Sequence, residues 1–236
     1  MSEAGRVTAR ALRMVGEAVA AGVTTAELDR VAEEVIRDAG AVPAFLGYNG
    51  FPATICASLN EQVVHGIPGM RRLAEGDIIS VDVGAIVDGY YGDSARTFPV
   101  GEVSDEAAEL MKVTRLSLEA GVAQCVTGNR LYDISHAVQE VAEAAGFSVV
   151  REYVGHGIGR AMHEEPQIPN FGPAGRGPVL KPGMVFAIEP MINAGEAPVR
   201  SLQDGWTVVT ADERPSAHFE HTVAVTETGP YVLTAE

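Results

Sequence analysis

The sequence predicts an α/β (α+β) fold in two related halves, and three observations predict it. Segments recur in the same order along the chain, helical patterns alternate with β-rich stretches, and no linker or low-complexity tract divides them. VTTAELDRV at 23–31 recurs as VTGNRLYDI at 126–134, an offset of 103. LAEGDIISVDV at 73–83 recurs as LKPGMVFAIEP at 180–190, an offset of 107 that superposes Asp82 on Glu189. The pattern HxxP occurs once in each half, at His65 to Pro68 and at His163 to Pro166. Chance supplies one such match readily. Three in one order favour duplication, so the 236 residues read as a single domain, 1–236, with halves of roughly 1–118 and 119–236.

Each element follows from local chemistry. After an N-terminal helix, a second helix opens at Thr24, where Thr24 and Glu27 match a capping box. Leu28, Val31 and Val35 then recur at helical spacing, and Gly40 suits the C-terminal cap. DIISVDVGAIV and GYYGDSARTFPV read as strands joined by the two-residue turn Asp88-Gly89. A third helical pattern spans roughly 105–120, after Ser104. The second repeated helix carries Leu131, Ile134, Val138 and Val141 and runs into Gly146. GMVFAIEPMI, WTVVTAD and AHFEHTVAVTETG read as further antiparallel strands. The Pro- and Gly-rich stretch 163–183 reads as one long functional or mobile loop.

Composition narrows the function. With 32 Asp and Glu against 17 Lys and Arg, the formal charge of −15 argues against binding DNA or an anionic membrane surface. No apolar run approaches the ~18 residues that span a bilayer. The N-terminus shows no apolar signal segment, and Cys56 and Cys125 alone do not make a disulfide framework. A reducing, cytoplasmic setting is therefore expected.

The acids then raise a question of their own. If Asp88-Gly89 closes a tight hairpin, Val87 faces Tyr90 and Asp82 faces Ala95. Asp93 shares that face, making Asp82 and Asp93 diagonal neighbours roughly 7–8 Å apart at the backbone. Two carboxylates there repel unless a cation lies between them. Asp82 and Glu189 each sit alone in an apolar run, and Glu220 alternates onto a face with His218 and Thr222 in AHFEHTVAV. Lone acids in three apolar strands suit a hard divalent cation. His156, flanked by glycines in VGHGIG, adds one nitrogen to four carboxylates. That mixed set is typical of paired Mn, Fe, Co or Zn ions that activate a water. No HExxH, GxSxG or Walker A pattern competes with it. His65 and His163 are either turn histidines or hydrogen-bond donors to a substrate carbonyl or oxyanion. His136 reads as surface, and His218 and His221 as outer partners of Glu220 or mere neighbours.

These residues lie in GYNGFPATICASLNEQVVHGIP, DVGAIVDGYYGDSARTF, GHGIGRAMHEEP, VFAIEPMI, QDGWTV and SAHFEHTVAVTE. By these motifs, over essentially its whole length, the chain resembles the type I methionine aminopeptidases of the bacterial short form. The resemblance implies the pita-bread fold, a curved antiparallel sheet flanked by helices in two pseudo-symmetric halves. It also implies two divalent ions (Co, Mn, Fe, Zn or Ni). Of their ligands, Asp82 would serve one ion, His156 and Glu189 the other, and Asp93 and Glu220 both. The implied activity is hydrolytic release of N-terminal Met from nascent chains, preferring small second residues. His163 then binds the substrate carbonyl, His65 stabilises the tetrahedral intermediate and Glu189 shuttles a proton. Phe45, Tyr48, Phe51, Cys56, Met162 and Trp206 line the thioether pocket. Phe45 departs from the pattern, standing where many members carry a smaller Cys, and is expected to narrow that pocket or alter the response to inhibitors. A monomer is expected, with the ribosome exit region as a candidate partner. The runner-up, a proline-specific peptidase of the same fold, carries a large additional N-terminal domain that this chain is not expected to have. A non-catalytic binding protein of this fold would be expected to have lost ligands.

Overall fold

A computed structural model describes residues 1–235. The chain opens with α1 (Ser2–Ala18) and α2 (Thr25–Asp38), followed by β1 (Val42–Pro43), a 3₁₀ turn at Tyr48–Gly50, β2 (Ile55–Leu59) and β3 (Gln62–Val64). The hairpin β4 (Ile78–Val87) and β5 (Tyr90–Pro99) precedes α3 (Asp105–Ala123) and α4 (Leu131–Ala144). Strands make up the remainder: β6 (Ser148–Val149), β7 (Gly155–Gly157), β8 (Glu164–Ile168), β9 (Val185–Ile188), β10 (Met191–Asn193), β11 (Val199–Ser201), β12 (Val208–Thr210), β13 (Ser216–His218), β14 (His221–Thr226) and β15 (Gly229–Val232).

The helices cover the two halves from outside. Leu12 and Val15 of α1 and Leu28 and Ile36 of α2 pack on Ile55, Ile79, Val81 and Val83. Leu118 of α3 and Leu131 and Ile134 of α4 pack likewise on Phe186, Ile188, Val223 and Val225. Because side chains alternate along a strand, burying Val81 and Val83 against helices turns Asp82 to the other face. The same alternation along β4 and β5 places Asp82 opposite Ala95, and Gly84 opposite Asp93. The turn between them has φ of 51° at Asp88 and 75° at Gly89, the left-handed pair that a two-residue hairpin requires.

The capping box is present: the Glu27 backbone N–H donates to the Thr24 hydroxyl, and the Thr24 N–H donates to the Glu27 carboxylate at 2.7 Å. Thr24→Ala should lower unfolding free energy by ~1 kcal/mol in a denaturant titration, with little change in slope. An unchanged midpoint would mean that the cap contributes nothing.

Three details differ from the sequence reading. The repeated helices correspond at an offset of 106, three more than the residue match suggested: Thr25 begins one and Leu131 the other, and Gly40 and Gly146 end them with φ of 71° and 84°. The entering bridges agree, Thr24 with Arg72 and Arg130 with Val179. Glu27 and Asp133 are the matching capping acids, and Asp133 accepts from the Arg130 N–H at 2.7 Å. An acid is all the cap demands, so identity there was a weak guide to register. The stretch 163–183 is not all loop, because Glu164–Ile168 forms β8 against β7. AHFEHTVAV is two strands, with Phe219 and Glu220 in the gap between β13 and β14. Glu189 and Pro190 form the facing gap between β9 and β10. Met191 pairs with His218 on one side of the gaps and Ile188 with His221 on the other. One antiparallel ribbon thus passes from the five-stranded sheet to a three-stranded one, with a glutamate at each break.

Candidate functional site

Asp82 and Asp93 arrive from the β4–β5 hairpin, Glu189 and Glu220 from the two breaks, and His156 from β7. Asp93, His156 and Glu220 are buried and present one ligand atom each, all within 4.8 Å of one another. Glu189 Oε1 lies 3.5 Å, and Asp93 Oδ2 3.9 Å, from His156 Nε2. The glycines beside His156 are sterically required: a Cβ on Gly155 would sit 2.3 Å from the Ala187 carbonyl oxygen, and one on Gly157 2.4 Å from that of Glu165. They let β7 close onto its neighbours and carry the imidazole to the acids.

Burial sets the electrostatics. Desolvation pushes the Asp82 carboxyl up to about 7. It drives Asp93 well above the usual carboxylate range, with help from the Asp82 charge, and raises Glu189 and Glu220 in the same way. His156, held down to about 4 by burial, is a neutral imidazole at pH 7. Its Nδ1–H donates to the Gly157 carbonyl at 2.9 Å, leaving the Nε2 lone pair toward the acids. Asp82 Oδ1, Asp93 Oδ1 and Glu220 Oε1 are buried without a hydrogen-bond partner. Buried acceptors with no donor are costly unless something positive joins them. Four carboxylates, one neutral imidazole and three orphaned oxygens fit a divalent cation.

The cluster forms one wall of a cavity of about 210 Å³. Every residue expected at the site lines that cavity: the five above, His65, His163, Phe45, Tyr48, Phe51, Cys56, Met162 and Trp206. Phe45, Phe51, Cys56 and Met162 are buried in one apolar cluster, with Trp206 edge-on to Phe51 at 5.1 Å between ring centroids. Burial, with Asp82, Asp93, Glu220 and Asp29 nearby, raises the Cys56 thiol well above its ordinary range, so Cys56 acts as an apolar wall. The His163 ring lies 4.3 Å from that of His156, and its Nδ1 lies 2.7 Å from the Tyr48 hydroxyl. His65 is pushed down to about 4 by desolvation and stacks edge-on with Tyr153 at 5.6 Å.

Two residues carry more than the sequence suggested. Asn49 lines the cavity from a left-handed position (φ 48°) in the 3₁₀ turn. The positive φ invites Asn, but nothing in GYNGF distinguishes such an Asn from a plain turn residue. His218 is buried, with Nε2 3.8 Å from Glu189 Oε2 and without a hydrogen-bond partner, so it neighbours that acid from behind the cavity wall. His221 instead turns away, its Nδ1 2.9 Å from the Thr234 hydroxyl. His136 is exposed on α4.

Comparison with known proteins points to peptidases. The profile of metallopeptidase family M24 matches residues 1–227. A methionine aminopeptidase of Clostridium acetobutylicum is 56% identical over 235 residues, covering 99% of this chain and 94% of that protein. The solved methionine aminopeptidase of Thermotoga maritima superposes with a TM-score of 0.99 at 47% identity, over 100% of this chain and 95% of that one. The prolidase of Pyrococcus furiosus, at 22% identity and TM-score 0.77 over 100% of this chain and 62% of its own, shares the fold alone. The chain belongs to metallopeptidase family M24, on its bacterial type I methionine aminopeptidase branch.

Proposed function

We propose that this protein hydrolyses the peptide bond after an N-terminal methionine, using divalent metal held by Asp82, Asp93, His156, Glu189 and Glu220. The observation that carries the reading is one cavity whose apolar lining adjoins four acids and a neutral imidazole. Its fit to two divalent ions rests on the donor set, four carboxylates and a neutral imidazole. When bound, the metal supplies Lewis acidity and lowers the pKa of a water.

The chain's own residues supply the rest. Phe45, Phe51, Cys56, Met162 and Trp206 bury the methionine side chain, and the soft thioether packs favourably on aromatic rings. With the Tyr48 phenol donating to Nδ1 of His163, Nε2 carries the proton and donates to the substrate carbonyl oxygen. His65, neutral by burial, stabilises the tetrahedral intermediate from the neighbouring wall. Glu189, on the cavity wall, takes a proton from the attacking water and passes it to the leaving amine. The preference for small second residues, the monomeric state and the cytoplasmic setting belong to the same proposal. So does a catalytic unit made of the whole chain in two repeated halves. Among the described residues no helix is long and apolar enough to cross a membrane.

Mn²⁺- or Co²⁺-loaded protein should release Met from Met-Gly-Met-Met and leave Gly-Pro dipeptides intact. Absence of Met release would sink the reading, and Gly-Pro cleavage would favour a proline-specific peptidase.

The stabilisation that metal gives should depend on pH. Acids whose folded pKa is raised keep protons that the unfolded chain has released, so their contribution to metal-free stability is full below pH ~4 and is lost as pH rises toward about 7. Metal replaces those protons, so its stabilisation grows over the same window. Melting temperatures at pH 5.5 and 7.5, with EDTA and with Mn²⁺, should diverge more at the higher pH. An equal metal-induced shift at both would contradict this.

A further inference from the structure

β5 pairs with β4 along one edge, and its other edge faces residues 218–222. These two segments run antiparallel, yet among the described residues they share one direct main-chain hydrogen bond, from the Glu220 N–H to the Ala95 carbonyl at 2.8 Å. Hydroxyls fill the places on either side. Thr222 Oγ1 accepts from the Asp93 N–H at 2.9 Å and donates to the Asp93 carbonyl at 2.7 Å. At the opposite end, Thr97 Oγ1 accepts from the His218 N–H and donates to the His218 carbonyl, both at 2.9 Å. Ser80 hydrogen-bonds Thr97 from β4 at 2.8 Å, and Ser94 donates to the Glu220 carbonyl at 2.8 Å. Thr222, Thr97, Ser94 and Ser80 are all buried.

Each threonine therefore satisfies both main-chain groups of the residue facing it. A side chain stands between the two backbones at both ends, where an ordinary ladder would bring main chain to main chain. The segments joined in this way carry Asp93 and Glu220. Two buried acids repel each other and would spread their strands if nothing tied them. A cation, for its part, responds to ligand spacing.

We propose that Thr222 and Thr97 are positioning residues, whose hydroxyl clamps fix the distance between Asp93 and Glu220 and so set the site's affinity for its divalent cation. This rests on reading Asp93 and Glu220 as metal ligands. Thr222→Val keeps the shape but leaves the Asp93 N–H and carbonyl buried and unpaired, whereas Thr222→Ser keeps the clamp.

The test titrates Mn²⁺ calorimetrically into metal-free wild type, Thr222→Val and Thr222→Ser, and measures kcat and KM on Met-Gly-Met-Met. Thr222→Val should lose about 10-fold or more in Mn²⁺ affinity and fall in kcat with KM unchanged, while Thr222→Ser stays within about threefold of wild type. Wild-type Mn²⁺ affinity in Thr222→Val, or equal losses in both variants, would overturn the proposal. No Mn²⁺ binding by the wild type would instead strike the ligand assignment. Should Thr222→Val fail to fold by circular dichroism, Thr97→Val against Thr97→Ser makes the same comparison, with the same outcomes deciding it.

Discussion

His156→Ala should leave a folded protein that no longer turns over peptide and binds Mn²⁺ or Co²⁺ more weakly. The imidazole is the site's one nitrogen donor, delivered in the neutral form by burial and oriented by its bond to Gly157. Alanine removes the donor and also enlarges the cavity beside His163, whose ring loses its neighbour at 4.3 Å. The other cavity histidines are engaged elsewhere, His163 with the Tyr48 hydroxyl at 2.7 Å and His65 edge-on against Tyr153, so neither is expected to replace the lost donor. Metal titration and a Met-Gly-Met-Met assay on the same preparation check both losses. Full activity in this variant would refute the ligand role.

The second large effect belongs to His163. In His163→Ala, kcat should fall roughly 10²–10³-fold if its Nε2–H meets charge that develops only on the way to the tetrahedral intermediate. KM should move much less, because a neutral carbonyl gains little from that donor in the ground state. Metal binding should be retained, which separates this variant from His156→Ala. An unchanged kcat would make His163 a structural histidine held by Tyr48.

Much of this site was legible from local rules, because those rules are short-range and rigid. The Asp88-Gly89 turn fixed the pairing of Val87 with Tyr90, and from that pairing Asp82 and Asp93 followed. The signal for Glu189 and Glu220 is less secure, because each stands alone in an apolar run that reads as one strand. The structure breaks both runs at the glutamates themselves. Their convergence depends on β9–β10 and β13–β14 crossing between sheets, which alternation within one segment does not encode. Asn49 carries no local signal, because it joins a cavity assembled from distant segments through a left-handed turn position. The hydroxyl clamps join residues more than a hundred positions apart, and Thr and Ser in strands carry no mark of such a duty. The helix register is hidden for the reverse reason, since Glu27 and Asp133 do the same job with different side chains.

The exposed turn at Asp88-Gly89 therefore acts on the site from outside it. Surface loops ordinarily absorb insertions and deletions, and an alignment-guided engineer would choose this one first. Yet strand faces alternate with a period of two, so one added residue that shifted β5 by a single place would turn Asp93 toward the opposite face. Asp82 would stay where it is, and the pair would be divided. Two solvent-facing residues thus hold the reading frame of the site, and their number is under tighter constraint than their chemistry.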